Sequence, residues 1–482
     1  MSFNSVPKYL GVFILLMVVL LSQNLIAQQK VWNLEECITY ALENNIQVQQ
    51  NEISQEIANE NLKGSIYGVL PSLNGFASNV YNFGQTIDPF TNSFATSQVR
   101  SNSFSLSSSF TVFDGFQNIN SIKRDQALLE ASKYDLDRIK NDISLNIVNA
   151  YLQILFNQEL LKNADNQLRV TSIQIDRIDK QVEAGSLPEG ALRDIEAQYS
   201  TEELQKINAQ NQLGLSQLNL AQLLRLENAD DFDIVYPDLS SFQGVADLLS
   251  TSALYSTAVE LMPEVKSAEY NLYSAEISKR LSRGSYMPTL TLRGSIGTGF
   301  SGASREVTGF NNLGFFPNGD ITTSGDTVLS FFRSAITQDK QFGDQLQGNF
   351  NKSVGFNLNI PLFNGMAART NVQRAKLQLQ SAELNLENTK LVLRQNIESA
   401  HNDAVAALKR YRAAEKSVSA LKTSFKYTQE RFNVGLLNSF EFNTEKNRLN
   451  NAESELLQAK FNYIFSTKVL DFYQGKPITF SN

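Results

Sequence analysis

Two stretches decide how this chain reads, Ser103-Phe-Ser-Leu-Ser-Ser-Ser-Phe-Thr-Val-Phe-Asp-Gly115 and Ser353-Val-Gly-Phe-Asn-Leu-Asn-Ile-Pro-Leu-Phe-Asn-Gly365. Each alternates apolar with small or polar residues, the period-two pattern of a strand with one apolar and one wet face. In the first, Phe104, Leu106, Phe110 and Val112 oppose the serines and Thr111. In the second, Val354, Phe356, Leu358, Ile360 and Leu362 oppose Ser353, Gly355, Asn357 and Asn359. Their numbering differs by 250, an even offset, so both strands face the same way.

Outward from these strands, the offset of 250 persists, matching Arg124 to Arg374, Ile147 to Ile397, Ala150 to Ala400 and Gly185 to Gly435. Upstream it becomes 217, matching Ala41 to Ala258, Glu43 to Glu260, Pro71 to Pro288 and Leu73 to Leu290. The chain is therefore an internal duplication, and its second copy carries the difference between the two offsets as extra sequence between Pro288 and Phe363. A further strand is expected at Thr289 to Phe300, with Leu290, Leu292, Ile296 and Phe300 against Thr291, Arg293 and Ser295. The least regular one is expected at Ser72 to Phe83.

After each Phe-Asp-Gly or Phe-Asn-Gly comes a run without glycine or proline, Phe116–Ala184 and Met366–Val434, the two equal in length. Those two residue types normally punctuate a chain far more often. As single helices the runs would be roughly 100 Å long, at ~1.5 Å per residue. Ile397, Ala400, Ala404, Ala407, Tyr411, Ala414, Val418 and Leu421 step alternately by three and four, as do Ile147, Ala150, Ile154, Asn157, Leu161, Ala164, Leu168 and Thr171. A period of 3.5 holds one seam against a neighbouring helix over many turns. Shorter helices are expected over about 34–63, 188–226, 252–283 and 436–474, paired so that two short ones match one long one.

The organisation that follows is two tandem helix, strand, strand, long-helix units, residues 28–226 and 252–482. Strands lie at about 72–83, 103–113, 289–300 and 353–363. The connector 227–251 is rich in Asp and holds Pro237, so it reads as a surface break. The fold class is mostly α with a transmembrane β-barrel portion. Four strands cannot close a barrel, since the smallest use about eight. Several copies must share one pore, with hairpin tips near 84–99 and 301–348, the longer an exposed external loop.

Composition narrows the function. Lys8, the apolar run Leu10–Leu21 and Ala27 read as a secretory signal peptide over residues 1–27. Without it the net charge of −7 becomes −8, a poor match for nucleic acid. Cys37 is the single cysteine and is expected as a buried structural thiol; His401 is the single histidine. No zinc cluster or Cys/His pair can be assembled from these, and no cofactor or catalytic set is expected. Gly297-Thr-Gly-Phe-Ser-Gly302 fits a dinucleotide fingerprint as a string but lacks the helix that should follow it.

Pro71 and Pro288 entering strands, and Arg431-Phe-Asn-Val-Gly-Leu436 at a helix hairpin, resemble the TolC-like outer-membrane efflux proteins over nearly all of the chain. The resemblance implies a homotrimer of twelve strands and twelve helices, seated in outer-membrane lipid and extended into the periplasm. It also implies a periplasmic adaptor and an inner-membrane pump as partners, in efflux or type I secretion. Adaptor contacts would map to Gly185, Ser186 and Leu187 and to Gly435, Leu436 and Leu437. Copy one departs from the family's turn with Ala184-Gly-Ser-Leu-Pro188, and each glycine equally suits a left-handed helix cap. An acidic periplasmic gate in some members falls here on Glu441 and Thr444, only one of which is a carboxylate; a solvated helix face is the plainer reading. From another class, a secreted or surface coiled-coil binding protein stays open at this stage.

Overall fold

The computed structural model describes residues 31–84, 86–87, 90, 92, 94–95, 98–226, 232–237 and 249–476. The expected signal peptide lies outside them, as do parts of the first hairpin tip and of the connector. The first repeat runs β1 (Val31–Trp32), α1 (Leu34–Asn44), α2 (Ile46–Tyr67), β2 (Ser72–Asn82), β3 (Thr86–Ile87), β4 (Phe94–Ala95), β5 (Val99–Phe113), α3 (Gln117–Glu183) and α4 (Glu189–Leu224). After β6 (Asp233–Ile234) come α5 (Thr251–Leu261), α6 (Pro263–Gly284), β7 (Thr289–Ser301), β8 (Arg305–Ile321), β9 (Thr327–Asp339) and α7 (Phe342–Gly348). β10 (Asn351–Asn359), α8 (Ala367–Asn433) and α9 (Ser439–Tyr473) complete the chain.

Contacts divide the chain into two compact units, each drawing on both repeats. One gathers residues up to Ala58, Leu128–Leu272 and Ser381 onward; the other gathers Asn59–Ala127 and Tyr273–Gln380. The sequence repeats therefore cut across the compact units.

In the first unit the helices pack along the seam read from the sequence. Ile147, Ile154, Thr171, Ile397 and Ala404 are fully buried. The two long helices α3 and α8 have 67 residues each. Cys37 is buried in a cluster with Ala41, Ile147 and Tyr151. Two expected helices are each broken in two. Asn45 (ψ 130°) separates α1 from α2, and Met262 (ψ 127°) separates α5 from α6. Pro263 explains the second break, because a proline pushes the residue before it out of the helical region and donates no hydrogen bond. Asn45 and Met262 are related by the upstream repeat offset, so the breaks are one feature of the repeat. The connector is also more than a surface break. Asp233 and Ile234 pair in parallel with Val31 and Trp32, burying Phe232 and Ile234, and Tyr151 donates its hydroxyl to the Val235 carbonyl.

The second unit holds an antiparallel sheet in the order β10-β7-β5-β2. Its register puts like with like: Leu106 faces Gly75 and Ile296, and Ser107 faces Asn74 and Ser295. A bulge at Val112 lets Phe113 oppose Leu290, the local irregularity of an extra residue on one strand. β10 ends at Asn359, not at residue 363 as read from the alternation. Pro361 has no N–H to continue a ladder. The extra sequence of copy two is not an irregular loop. It forms the β8–β9 hairpin, closed at Thr322–Asp326, and then α7. Gln345 of α7 is buried and anchors this insertion, donating to the Ser301 and Lys340 carbonyls while accepting from Ser301 N.

The strand-to-helix turns explain the Phe-Asp/Asn-Gly motif. Gly115 (φ +70°) and Phe116 (φ +65°) reverse the chain, and the Asp114 carboxylate accepts from Gln117 N and Asn118 N at the start of α3. Copy two repeats this with Gly365, Met366 and Asn364. No described helix is long and apolar enough to cross a membrane.

Candidate functional site

The sheet has two chemically distinct faces. Leu73, Phe104, Leu106, Phe110, Leu292, Ile296, Val354, Phe356 and Leu358 lie on one by register. On the other lie Ser72, Asn74, Ser105, Ser107, Ser109, Thr291, Ser295, Ser353 and Asn357. Hydroxyl pairs bridge adjacent strands on this wet face, Ser72 to Ser109 and Ser295 to Ser353, each at 2.8 Å. A trough of about 490 Å3 runs along it, lined by Ser72, Asn74, Ser107, Ser109, Arg293, Ser353, Asn357 and their neighbours. Both edges of the sheet, β2 and β10, lack a strand partner among the described residues. Unpaired edges of this length are templates for another strand.

The helix hairpins sit at the two expected turns. Gly185 (φ +69°) and Gly435 (φ +79°) adopt the left-handed conformation that ends a helix. Ser186 N reaches back to the Gln181 carbonyl and Leu436 N to that of Arg431, both at 2.9 Å, the 6→1 bond of a Schellman cap. Ser186 and Leu436 are exposed, while Leu187 and Leu437 are half-buried. Phe432 of the copy-two motif stacks on buried Phe442 at 4.5 Å, which cores that tip. Arg177, near the end of α3, donates to the Asn433 side chain and carbonyl at the end of α8, so the two hairpins are tied together.

Glu441 and Thr444 are both exposed, and each is bonded within its own helix. Glu441 forms a capping box with Asn438: Glu441 N donates to Asn438 Oδ1 at 2.8 Å, and its carboxylate accepts from Asn438 N. Thr444 donates to the Phe440 carbonyl. A little further along α9 lies a group that the sequence did not single out. Lys446 Nζ meets Glu202 Oε1 at 2.7 Å and also donates to Thr171, all three buried. Burial is the main cause holding the Lys446 ammonium below its ordinary pKa, with the Glu202 hydrogen bond and charge opposing it. This cluster joins α3, α4 and α9.

A sequence profile described as outer membrane efflux protein matches residues 37–224 and 254–473. The chain belongs to the outer membrane efflux protein family. Outer membrane protein TolC of Escherichia coli strain K12 is 22% identical over 442 residues, 90% of this chain and 80% of that protein. Alkaline protease secretion protein AprF of Pseudomonas aeruginosa is 21% identical over 354 residues, 73% of this chain and 64% of that one. The crystal structure of the outer membrane protein VceC from Vibrio cholerae superposes with a TM-score of 0.71 at 15% identity, covering 92% of this chain and 97% of that one. Membership makes this an outer-membrane channel of efflux type and displaces the reading as a secreted coiled-coil binding protein. It also gives the sheet's faces their solvents: the apolar face meets lipid and the hydroxyl-rich face meets water, as in outer-membrane barrels generally.

Proposed function

We propose that three copies of the chain close their four-stranded sheets into one twelve-stranded barrel, and that the resulting duct receives substrates from a periplasmic adaptor and an inner-membrane pump. The observation that carries this is the sheet itself: two faces fitted to lipid and water, and two edges left without a strand partner among the described residues. In hydrocarbon every unpaired backbone group costs several kcal/mol, so an open sheet would not persist there. The tips at Gly185, Ser186 and Leu187 and at Gly435, Leu436 and Leu437 are the adaptor-docking surfaces in this reading. The exposure of Gly185, Ser186, Gly435 and Leu436 at turns tied together by Arg177 supports it. Glu441, repeated around the axis, is the candidate acidic ring of the periplasmic gate, with Thr444 one helical turn beyond it.

Purified protein in planar bilayers tests the duct. Stepwise conductance together with a heat-dissociable oligomer of three chains is expected. Protein that stays monomeric, or that inserts without conducting, would overturn it.

A further inference from the structure

We propose that Arg293 makes the wet face of the barrel an anion-binding station, one that holds carboxylate- or phosphate-bearing solutes in transit; this rests on the duct reading above. Among the described residues of the four paired strands, Arg293 is the single charged residue whose register puts it on that face. Lys352 and Arg100 fall on the opposite face, by their pairing with Ile296 and Tyr81. No carboxylate pairs with Arg293 among the described residues, and its side chain is exposed in the trough of about 490 Å3. The guanidinium presents five donors in a planar fork, which matches the two oxygens of a carboxylate or phosphate.

The neighbours of Arg293 suit an anion. Ser109 faces it on β5 and Gly355 on β10, and a side chain added at Gly355 would meet nothing within 4 Å. The space above Gly355, the β10 neighbour of Arg293, is therefore open. Ser72, Asn74, Ser107 and Asn357 line the same trough and bring hydroxyl and amide donors, with no acid among them. The repeat sharpens the assignment. The position equivalent to Arg293 in copy one, by the upstream offset, is Phe76, also on the wet face. In a closed ring of three copies, cationic and aromatic positions would alternate around the lumen, so the charge is specific to the second copy and not a property of the barrel scaffold.

Single-channel recording of the full-length oligomer tests this with inorganic tripolyphosphate as the probe. Wild type is expected to show block by tripolyphosphate. Arg293→Gln should weaken that block about tenfold or more, and shift the reversal potential in a KCl gradient toward cations. Arg293→Lys should keep the selectivity. Gly355→Glu, which places a carboxylate beside an intact Arg293, should also abolish block, and it tests the idea if the glutamine variant fails to assemble. Conducting Arg293→Gln or Gly355→Glu pores with unchanged block and selectivity would overturn the proposal and leave the duct standing. A wild type that forms no pore would overturn both.

Discussion

Lys446 and Glu202 retain 4% and 1% of their side-chain exposure, and Gln198 and Thr171 supply further hydrogen bonds to Glu202. Removing one member of such a buried pair leaves an uncompensated charge and typically costs about 3–5 kcal/mol, whereas replacing both with apolar groups is often neutral. Lys446→Met is therefore expected to lower stability by roughly that amount, and Lys446→Met with Glu202→Leu to recover most of it. Denaturant titration followed by circular dichroism measures both, and an undisturbed single variant would contradict the account. Glu441 allows a cleaner substitution. Glutamine still serves a capping box, so Glu441→Gln should leave α9 and stability intact while weakening cation selectivity; unchanged selectivity would remove Glu441 from the gate. These roles differ in how far they could be read from sequence. Glu441 entered only through the family resemblance, and its cap required the geometry of Asn438. Lys446 and Glu202 were not legible, because they lie far apart in the chain, on α9 and α4. Under the offset of 250 they match Glu196 and Ala452, so the repeat does not pair them. The available signal was Thr171, a polar residue in a seam where copy two has Leu421.

At the scale of elements, the long helices and the alternating strands could be read because each rests on a local period that burial then enforces. The breaks were harder. Pro263 marks one plainly, but Asn45 carries no breaker, and only its repeat relation to Met262 links the two. The β8–β9 hairpin escaped because its alternation is interrupted by bulges near Thr308, Leu313 and Pro317. A tighter constraint sits where α6 ends beside the β5–α3 turn. A Cβ on Gly115 would stand 2.7 Å from the Gly284 carbonyl oxygen and from Met287 Cβ, at φ +70°. Both the clash and the left-handed backbone oppose a side chain there, so Gly115→Ala is expected to cost more than about 1 kcal/mol. The midpoint of heat denaturation in detergent measures this; an unshifted midpoint would mean that the approach is looser than the structure has it.

For the whole molecule, duplication and closure are one argument. Within the chain, Ser107 on β5 faces Ser295 on β7. Moving the first residue forward by 250 and the second back by 217 turns this pair into Asn357 on β10 and Ser78 on β2. They sit on the two edge strands, which lack a further partner among the described residues. If copies join as the repeats do, Asn357 of one copy must face Ser78 of the next, with both side chains on the wet face. Register errors by one residue would invert every side chain between lipid and lumen, so the pairing is sharply specified. The most direct test is a chain carrying Ser78→Cys and Asn357→Cys in a Cys37→Ala background, oxidised in the outer membrane and resolved on a non-reducing gel. The account predicts a ladder of linked chains that ends at three and disappears with either cysteine alone. Unlinked monomers from that double variant, or efficient linkage only from a pair one residue out of register, would contradict it.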